Sequence, residues 1–191
     1  MLSKRIFDLT FSSLMVVMVL PLLLLLYILA TWDTSTNGIF RQKRIGQFGK
    51  TFTIFKFRTI HPKTLTISPF GQFLRTYKLD ELPQLFNIIK GEMSFVGPRP
   101  DIPGYYDQLK GEDRKILTLK PGLTSEASIK YRNEADILKN QENPDEYNDE
   151  VIFPDKIKIN ADYLQKISLK TDLMIILKTI KSIFQNKDNT I

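Results

Sequence analysis

The sequence predicts an α+β fold, in which a mostly helical small domain carries a short β-hairpin and follows an N-terminal re-entrant membrane helix. Its 191 residues suffice for one compact domain with a hydrophobic core. An uncharged apolar run covers residues 9–32, and residues 51–58 alternate between apolar and polar side chains. We therefore divide the chain into a membrane segment, residues 1–36, and a domain on the cytosolic face, residues 37–191.

The apolar run is long enough to cross a bilayer, since at about 1.5 Å per residue it would form a helix of roughly 36 Å. Pro21, in its middle, removes a helix hydrogen bond and predicts a break between two helices. Basic residues lie on both flanks of the run, which favours placing both flanks on the cytoplasmic side. A re-entrant helix-break-helix satisfies both observations. The alternatives are a Pro-kinked transmembrane anchor and a cleaved signal peptide.

The amino-acid composition excludes several kinds of chemistry. The chain has no Cys and a single His, His61, so thiol nucleophiles and thiolate zinc sites are excluded and a His-centred triad is disfavoured. The net charge of +6 is uneven, because residues 1–100 contain 13 Lys and Arg against 5 Asp and Glu, and residues 101–191 contain 14 against 16. Positive charge beside a membrane-seeking segment indicates anionic lipid or a phosphorylated substrate more than nucleic acid.

Two segments of the domain have clear local signals. The glycine-punctuated residues 38–49 and the alternating residues 51–58 predict a β-hairpin. A helix that begins near Asp80 or Glu81 and ends at Gly91 is predicted by apolar residues spaced along one helix face. These residues are Leu82, Leu85, Phe86 and Ile89.

The second half of the domain has weaker signals. Residues 97–100, Gly-Pro-Arg-Pro, predict a rigid loop, and residues 105–119 predict a helix that is interrupted or capped near Gly111. The acidic residues 141–150 predict a solvated loop or helix end. Residues 169–184 predict a basic amphipathic helix that lies either on the membrane surface or against the domain core, so amphipathic interface helices belong to the expected fold. Its apolar stripe comprises Leu169, Leu173, Ile176, Leu177, Ile180 and Phe184.

The candidate functional residues are two adjacent carboxylates with basic residues near them. Asp80 and Glu81 stand at a predicted helix start, where N-capping is an ordinary role of acidic residues. The accompanying basic residues are Lys56, Arg58, Arg75 and Arg99. Cations beside carboxylates are typical of a diphosphate site with a divalent metal, in which an Asp could bind the metal, attack phosphorus or do both. A surface network of salt bridges is the alternative.

Several longer motifs give a more specific indication. They are KRIFD at 4–8, FRQKRIG at 40–46, FTIFKFRT at 52–59, LRTYKLDELPQLFNIIKGEMSFVGPRP at 74–100, KPGLT at 120–124 and YRNE at 131–134. With these motifs the chain resembles, over nearly its whole length, the bacterial sugar transferase family, which are small monotopic phosphoglycosyl transferases. The block at 74–100 is far more specific than any single motif within it.

The resemblance implies a phosphoglycosyl transferase whose catalytic domain is the 37–191 segment. Such an enzyme moves a sugar 1-phosphate from a UDP-sugar to polyprenyl phosphate and releases UMP, which is the first membrane step of glycan assembly. Asp80 would form a covalent aspartyl-phosphosugar intermediate, with Glu81 as the partner carboxylate and Mg²⁺ held by both. Substrate would be bound by the residues that match the family pattern, namely Lys56, Arg58, Arg75, Pro98, Arg99 and Arg132.

The implied location is the bacterial cytoplasmic (inner) membrane, with monotopic attachment and the active site on the cytoplasmic face. The expected partners are a UDP-sugar, polyprenyl phosphate and the lipid bilayer, without nucleic acid, while a homo-oligomer or contact with other glycan-pathway enzymes stays open. Two other functions also stay open. One is a non-catalytic membrane-anchored adaptor that binds anionic lipid, and the other is a metal-dependent diphosphate hydrolase, which would need no lipid acceptor.

Overall fold

The computed structural model describes residues 2–185 and begins with one long helix. Helix α1 (Leu2–Thr34) is continuous and includes Pro21, so the break expected at Pro21 does not interrupt the helix. The physical reason is that a proline removes one backbone hydrogen bond and bends a helix without having to end it. Residues 186–191 of the expected 37–191 domain lie outside the described residues.

Helix α1 exposes most of its apolar surface. It is long and apolar enough to cross a membrane, and the indole of Trp32, which is 84% exposed, lies at its C-terminal end. The exposed side chains in its middle include Leu14, Val17, Met18, Leu24, Leu25 and Ile28. An uninterrupted apolar surface of this size marks contact with another apolar phase, so α1 supports association of the protein with a membrane.

Both ends of α1 pack against the rest of the protein. Near its start, the ring of Phe11 lies 5.3 Å from the ring of Phe95, measured between centroids. Near its end, Leu26 and Ala30 are buried in a cluster that includes Phe57. One domain therefore holds the helix at both ends.

Charged residues of the KRIFD motif anchor the start of α1. Lys4 Nζ lies 2.5 Å from Oδ2 of the buried Asp172. The buried Asp8 accepts a hydrogen bond from the backbone N–H of Phe95 at 3.2 Å. Arg5 donates to two carbonyls near the end of the helix that precedes Phe95. These bonds connect the membrane segment to the segment from which the Gly-Pro-Arg-Pro loop extends.

The predicted hairpin is confirmed. Strands β1 (Ile39–Ile45) and β2 (Thr51–Phe57) pair in antiparallel fashion, with Ile39 opposite Phe57 and Ile45 opposite Thr51. The side chain of the buried Asn87 accepts a hydrogen bond from Phe55 N and donates one to Thr53 O, so it holds β2 against the helix that carries Asn87. The hairpin is thereby fixed relative to the residues on either side of Asn87.

The segment that contains the carboxylate pair differs from the prediction in its first turns. Helix α2 (Pro69–Thr76) is followed by a 3₁₀ segment (Leu79–Gln84) and then by helix α3 (Leu85–Lys90). The 3₁₀ segment contains Pro83, which has no N–H with which to continue an α-helical hydrogen-bond ladder. The end of α3 is as predicted, because Gly91 adopts a left-handed conformation with φ 83°.

A second pair of strands, absent from the sequence prediction, holds the Gly-Pro-Arg-Pro loop. Strand β3 (Ser94–Val96) pairs in parallel with β4 (Gly122–Thr124). The two chains approach so closely that a Cβ at Gly97 would lie 2.2 Å from the carbonyl oxygen of Lys120. Both glycines, Gly97 and Gly122, are required by this contact, since a Cβ at Gly122 would likewise meet Gly97 N at 2.2 Å. The contact joins the GPRP and KPGLT segments of this chain.

The remaining segments are short helices that lead into two longer ones. Residues 105–119 form two 3₁₀ turns (Tyr106–Gln108 and Asp113–Thr118) and not the predicted interrupted helix. Between the turns, Gly111 has a φ of 57°, which an α-helix does not accommodate. The helices that follow are α4 (Glu126–Lys130), α5 (Glu134–Lys139), α6 (Pro144–Tyr147), α7 (Phe153–Gln165) and α8 (Leu169–Gln185). The acidic stretch forms α6 and a π turn (Asn148–Ile152) that leads into α7.

The predicted apolar stripe of α8 is divided between core and solvent. Ile176 packs against the core beside the buried Asp172 and Ile175. Four other stripe residues remain exposed, namely Leu169, Leu173, Leu177 and Ile180. The Phe184 side chain lies outside the described part of the protein. Packing against the core therefore accounts for only one edge of the stripe.

Candidate active site

Glu81 is a buried anion held between two cations. Its Oε1 lies 2.9 Å from Lys56 Nζ and 2.5 Å from Arg99 Nη2, and its Oε2 accepts a longer bond from Arg99 Nη1 at 3.3 Å. Burial alone would raise the pKa of Glu81, but the charges and hydrogen bonds of Arg99 and Lys56 outweigh burial and hold that pKa well below its usual range. Glu81 is therefore ionised, and it fixes the positions of both basic side chains.

Asp80, the neighbour of Glu81, is also buried, but its carboxylate lacks the hydrogen bonds that Glu81 has. Its Oδ1 is buried and has no hydrogen-bond partner among the described residues. Burial and the charge of Glu81 raise the pKa of Asp80, and three nearby cations, Lys56, Lys78 and Arg75, act in the opposite direction. A buried carboxylate oxygen without a partner is energetically costly, which is typical of a site whose bonding a ligand completes.

Arg75 is directed toward the site by the residue that follows the hairpin. The guanidinium Nε of Arg75 donates a 2.8 Å hydrogen bond to Oγ1 of the buried Thr59. Helix α2 can approach Thr59 because Gly71 has no side chain, and a Cβ there would lie 2.6 Å from the carbonyl oxygen of Thr59. Arg75 is thus held at the last turn of α2, close enough for its charge to lower the pKa of Asp80.

Arg99 reaches Glu81 from a loop with a constrained backbone. Pro98 and Pro100 flank it, and both are buried. The carbonyl of Pro98 accepts a 2.8 Å bond from Gly122 N, and Gly97 N donates a 3.0 Å bond to Thr124 O. The backbone before Arg99 is therefore bonded to β4, and only the Arg99 side chain, 45% exposed, is free to meet both Glu81 and solvent.

Two predicted substrate-binding residues donate hydrogen bonds to backbone carbonyls. Arg58 donates through Nε to the carbonyl of Asn37 at 2.9 Å, and its guanidinium lies 5.6 Å from the centre of the Phe40 ring. Arg132 donates to the carbonyl of Ser182 in α8. The structure therefore brings Lys56, Arg75 and Arg99 to the carboxylate pair, with Pro98 adjacent to Arg99 in the loop, and it engages Arg58 and Arg132 in other contacts.

Two basic residues near the pair, Lys78 and Arg44, were not predicted from the sequence. Lys78 precedes the 3₁₀ segment in a left-handed conformation, with φ 57°, and its charge acts on both Asp80 and Glu81. Arg44, in β1, belongs to the FRQKRIG motif. Burial lowers the pKa of Arg44, with smaller effects from the charges of Asp101, Arg99 and Glu81. Each lies in a motif already noted, but among 27 Lys and Arg residues nothing in the sequence distinguishes them.

The charges of the site favour a polyanion. Two carboxylates, Asp80 and Glu81, are accompanied by four cations, namely Lys56, Arg75, Lys78 and Arg99. The excess of positive charge, together with the planar guanidinium groups, is suited to a diphosphate. The site is therefore positively charged overall despite the acidic pair at its centre.

The donor set admits a magnesium ion only together with a ligand. Among residues 2–185 there is no group of three or more His, Cys, Asp or Glu residues that could hold a metal. Both oxygens of Glu81 are bonded to cations, whereas Oδ1 of Asp80 is free of protein partners in the described chain. One carboxylate plus substrate phosphate oxygens is a usual donor set for Mg²⁺, so these residues fit that ion.

Comparison with known proteins gives a consistent result. Residues 1–186 match the family described as bacterial sugar transferase. A UDP-glucose:undecaprenyl-phosphate glucose-1-phosphate transferase of Klebsiella pneumoniae is 32% identical over 98% of this chain and 41% of that protein. An enzyme of the same name from Caulobacter vibrioides is 31% identical over 95% of this chain and 70% of its own length. The exopolysaccharide production protein ExoY of Sinorhizobium fredii is 30% identical over 95% of this chain and 85% of its own. The chain thus spans about two fifths of the Klebsiella relative.

Proposed function

The chain belongs to the bacterial sugar transferase family, and we propose on this basis that it transfers a sugar 1-phosphate from a UDP-sugar to polyprenyl phosphate and releases UMP. The observation that carries the proposal is the buried, unpartnered Oδ1 of Asp80 among cations. An adaptor that only binds anionic lipid would have no use for such an oxygen, since burying it costs stability. The names of the Klebsiella and Caulobacter relatives support the same reaction class.

In the proposed first step, a carboxylate oxygen of Asp80 attacks the sugar-bound phosphorus of the UDP-sugar. An Asp–O–P bond forms, the bond from that phosphorus to the bridging oxygen breaks, and UMP leaves with the electron pair. In the second step, a phosphate oxygen of polyprenyl phosphate attacks the same phosphorus. The Asp–O–P bond breaks and the carboxylate is regenerated, so neither step requires a proton acceptor.

The surrounding residues offset the repulsion between an anionic nucleophile and an anionic substrate. Arg75 and Lys78 stabilise charge near Asp80, and Arg99 has its exposed side toward solvent, from which substrate enters. Glu81 holds Arg99 and Lys56 in place before substrate arrives, so that little reorganisation is needed in the transition state. Mg²⁺, bound by Asp80 and substrate phosphate oxygens, would neutralise charge on the transferring phosphoryl group.

A direct assay tests the function. Purified protein is incubated with a panel of UDP-sugars, Mg²⁺ and polyprenyl phosphate, and UMP is measured. We expect UMP release with at least one sugar, and full turnover only when polyprenyl phosphate is present. UMP release at the same rate without the lipid would identify a diphosphate hydrolase. Binding of anionic vesicles without UMP release would identify an adaptor.

We also propose that α1 is re-entrant, with both of its ends on the cytoplasmic side of the inner membrane. Both ends contact the same domain, and exposed apolar side chains extend along the helix from Leu2 to Trp32. The chain contains no Cys, so single cysteines can be introduced as reporters. Ser3→Cys and Lys43→Cys, both at exposed positions, are expected to react with an impermeant maleimide from the same side of sealed vesicles. Labelling from opposite sides would show that α1 spans the membrane.

A further inference from the structure

We propose that Arg44 and Arg99 together form a second phosphate subsite, which takes a phosphate monoester. The inference rests on the proposed function, in which two such groups visit the site, namely the phosphate of the departing UMP and the phosphate of the polyprenyl acceptor. Nothing in the sequence analysis assigned a role in the site to Arg44.

The hairpin places Arg44 on the same face as a residue of the site. Arg44 is paired with Phe52, and Lys56 lies four residues further along β2. Facing residues project from the same side of a sheet and alternate residues share a side, so Arg44 and Lys56 project from one face. Lys56 contacts Glu81 from that face. Arg44 is therefore on the site side of β1, whereas Arg41 projects from the other side, where it lies over the Phe55 ring.

The end of β1 is bonded directly to the segment that carries Arg99. The backbone N–H of Ile45 donates a 2.9 Å hydrogen bond to the carbonyl of Asp101. Ile45 and Arg99 also line one small cavity, together with Pro98 and Pro100. The Arg44 side chain meets the same segment, since its Nη1 lies 3.7 Å from Oδ1 of Asp101, two residues after Arg99. Arg44 and Arg99 therefore adjoin one backbone junction at the edge of the site.

The Arg44 side chain is mostly buried and its donors are incompletely used. Only 20% of the side chain is exposed. Nη2 donates to Gln42 Oε1 at 2.7 Å, Nη1 lies 3.7 Å from Asp101 Oδ1, and the buried Nε has no partner in the described chain. Burial lowers the pKa of Arg44, and the charge of Arg99 adds to this effect. A buried guanidinium beside a second one is an arrangement that a bound dianion would stabilise.

The hairpin register separates Arg44 from Lys56. The partner of Arg44 on β2 is Phe52, four residues from Lys56, which corresponds to about 13 Å along the strand. Lys56 contacts Glu81, whereas Arg44 Nη1 lies 3.7 Å from Asp101 Oδ1. A phosphate at Arg44 and Arg99 would therefore lie on the Arg44 side of the Glu81 carboxylate, and not at the phosphorus that Asp80 attacks.

The test compares matched charge removals on the two faces of β1. Arg44→Met is expected to weaken binding of one phosphate monoester by about 10- to 100-fold, because charge-assisted hydrogen bonds to phosphate are lost. Arg41→Met removes the same charge from the opposite face and is expected to change binding less than twofold. UMP affinity is measured by the ligand-induced rise in Tm without turnover, and the KM for polyprenyl phosphate is measured in the transfer assay. If only UMP affinity is reduced, the subsite binds the nucleotide phosphate. If only the KM for polyprenyl phosphate is raised, the subsite binds the acceptor phosphate.

Asp101→Asn separates ligand binding from a purely structural ion pair. The substitution removes the only carboxylate within 4 Å of the Arg44 guanidinium among the described residues, but it keeps the Oδ1 that accepts from Ile102 N. If Arg44 binds phosphate, Asp101→Asn is expected to tighten binding severalfold, opposite in sign to Arg44→Met. If both substitutions weaken binding, or if Arg44→Met changes neither ligand, the inference is wrong.

A second substitution tests Arg44 if the first variant is unstable. If Arg44→Met does not fold, Arg44→Lys retains the charge without the planar fork and is expected to weaken binding about 3- to 10-fold. An Arg44→Lys protein with unchanged affinity for both ligands would overturn the proposal.

Wild-type protein that binds UMP through Arg44 but transfers no sugar phosphate would contradict the proposed function alone. Normal transfer with no effect of Arg44 would contradict this inference alone.

Discussion

Replacing Asp80 with Asn is expected to abolish transfer, with a loss of roughly 10⁴-fold or more, because the neutral amide cannot attack phosphorus. We also expect mass spectrometry to detect a phosphosugar adduct on wild-type protein given UDP-sugar alone, and to detect none on the Asp80→Asn protein. The matched control is Asp162→Asn, an exposed carboxylate on α7, which should retain full activity. If an Asp80→Asn protein, shown by mass spectrometry not to have deamidated, still turns over, then Asp80 is not the nucleophile.

The same substitution is expected to raise stability. Because burial and Glu81 raise the pKa of Asp80, the folded state binds its proton more tightly than the unfolded chain. Ionised Asp80 therefore destabilises the fold once the pH exceeds the usual value of 3.8. We expect Asp80→Asn to have a Tm a few degrees higher at pH 7, with the difference shrinking as the pH falls. A lower Tm at pH 7 would mean that Asp80 has a stabilising partner that this account does not include.

Glu81→Gln is expected to have the second largest effect, lowering transfer by about 10²- to 10³-fold. Gln has nearly the same shape as Glu, but it cannot neutralise Lys56 and Arg99, so both cations lose their anchor. Stability should fall by about 2–3 kcal/mol, less than for a fully buried pair because Arg99 reaches solvent. The exposed Glu112→Gln, which disturbs only a surface pair with Lys115, is the control and should change neither quantity.

The pH dependence of Glu81→Gln provides an independent check. The pKa of Glu81 is lower in the folded protein than its usual value of 4.5, so the unfolded chain binds the proton more readily. The stability that Glu81 contributes is therefore complete above pH 4.5 and is lost as the pH falls further. Wild-type protein should lose stability between about pH 5 and pH 3 more steeply than Glu81→Gln in denaturant titrations. Parallel curves would mean that the pKa of Glu81 is not lowered.

Local patterns in the sequence were sufficient to predict several elements. The alternation in residues 51–58 is a property of neighbouring residues, and the hairpin forms with β2 at Thr51–Phe57. Gly91 ends α3 because only a residue that tolerates positive φ fits there. Local patterns failed where contacts distant in sequence decide the structure, as in the parallel pairing of β3 with β4, which joins segments more than twenty residues apart.

The candidate site likewise depends partly on local sequence and partly on contacts between residues distant in sequence. Asp80 and Glu81 could be singled out as adjacent acids near basic residues, but their neighbouring positions in the chain do not reveal their different surroundings. Glu81 is engaged by side chains from β2 and from the Gly-Pro-Arg-Pro loop, while Oδ1 of Asp80 receives no hydrogen bond in the described part of the chain. Burial and partner atoms are properties of the packed molecule, so the distinct roles of the two carboxylates emerge only there.

The amino-acid sequence by itself determined the reaction class to be considered, the apolar N-terminal segment and the exclusion of thiol chemistry, because these depend on residue types and short motifs. Only the tertiary structure decided which cations surround the carboxylates. Lys56, Arg75 and Arg99 come from a strand, a helix and a loop and meet there, while Arg58 and Arg132 donate to the carbonyls of Asn37 and Ser182. The reason is physical: electrostatic interactions depend on distance and burial in three dimensions, and neither is specified by the spacing of residues along the chain.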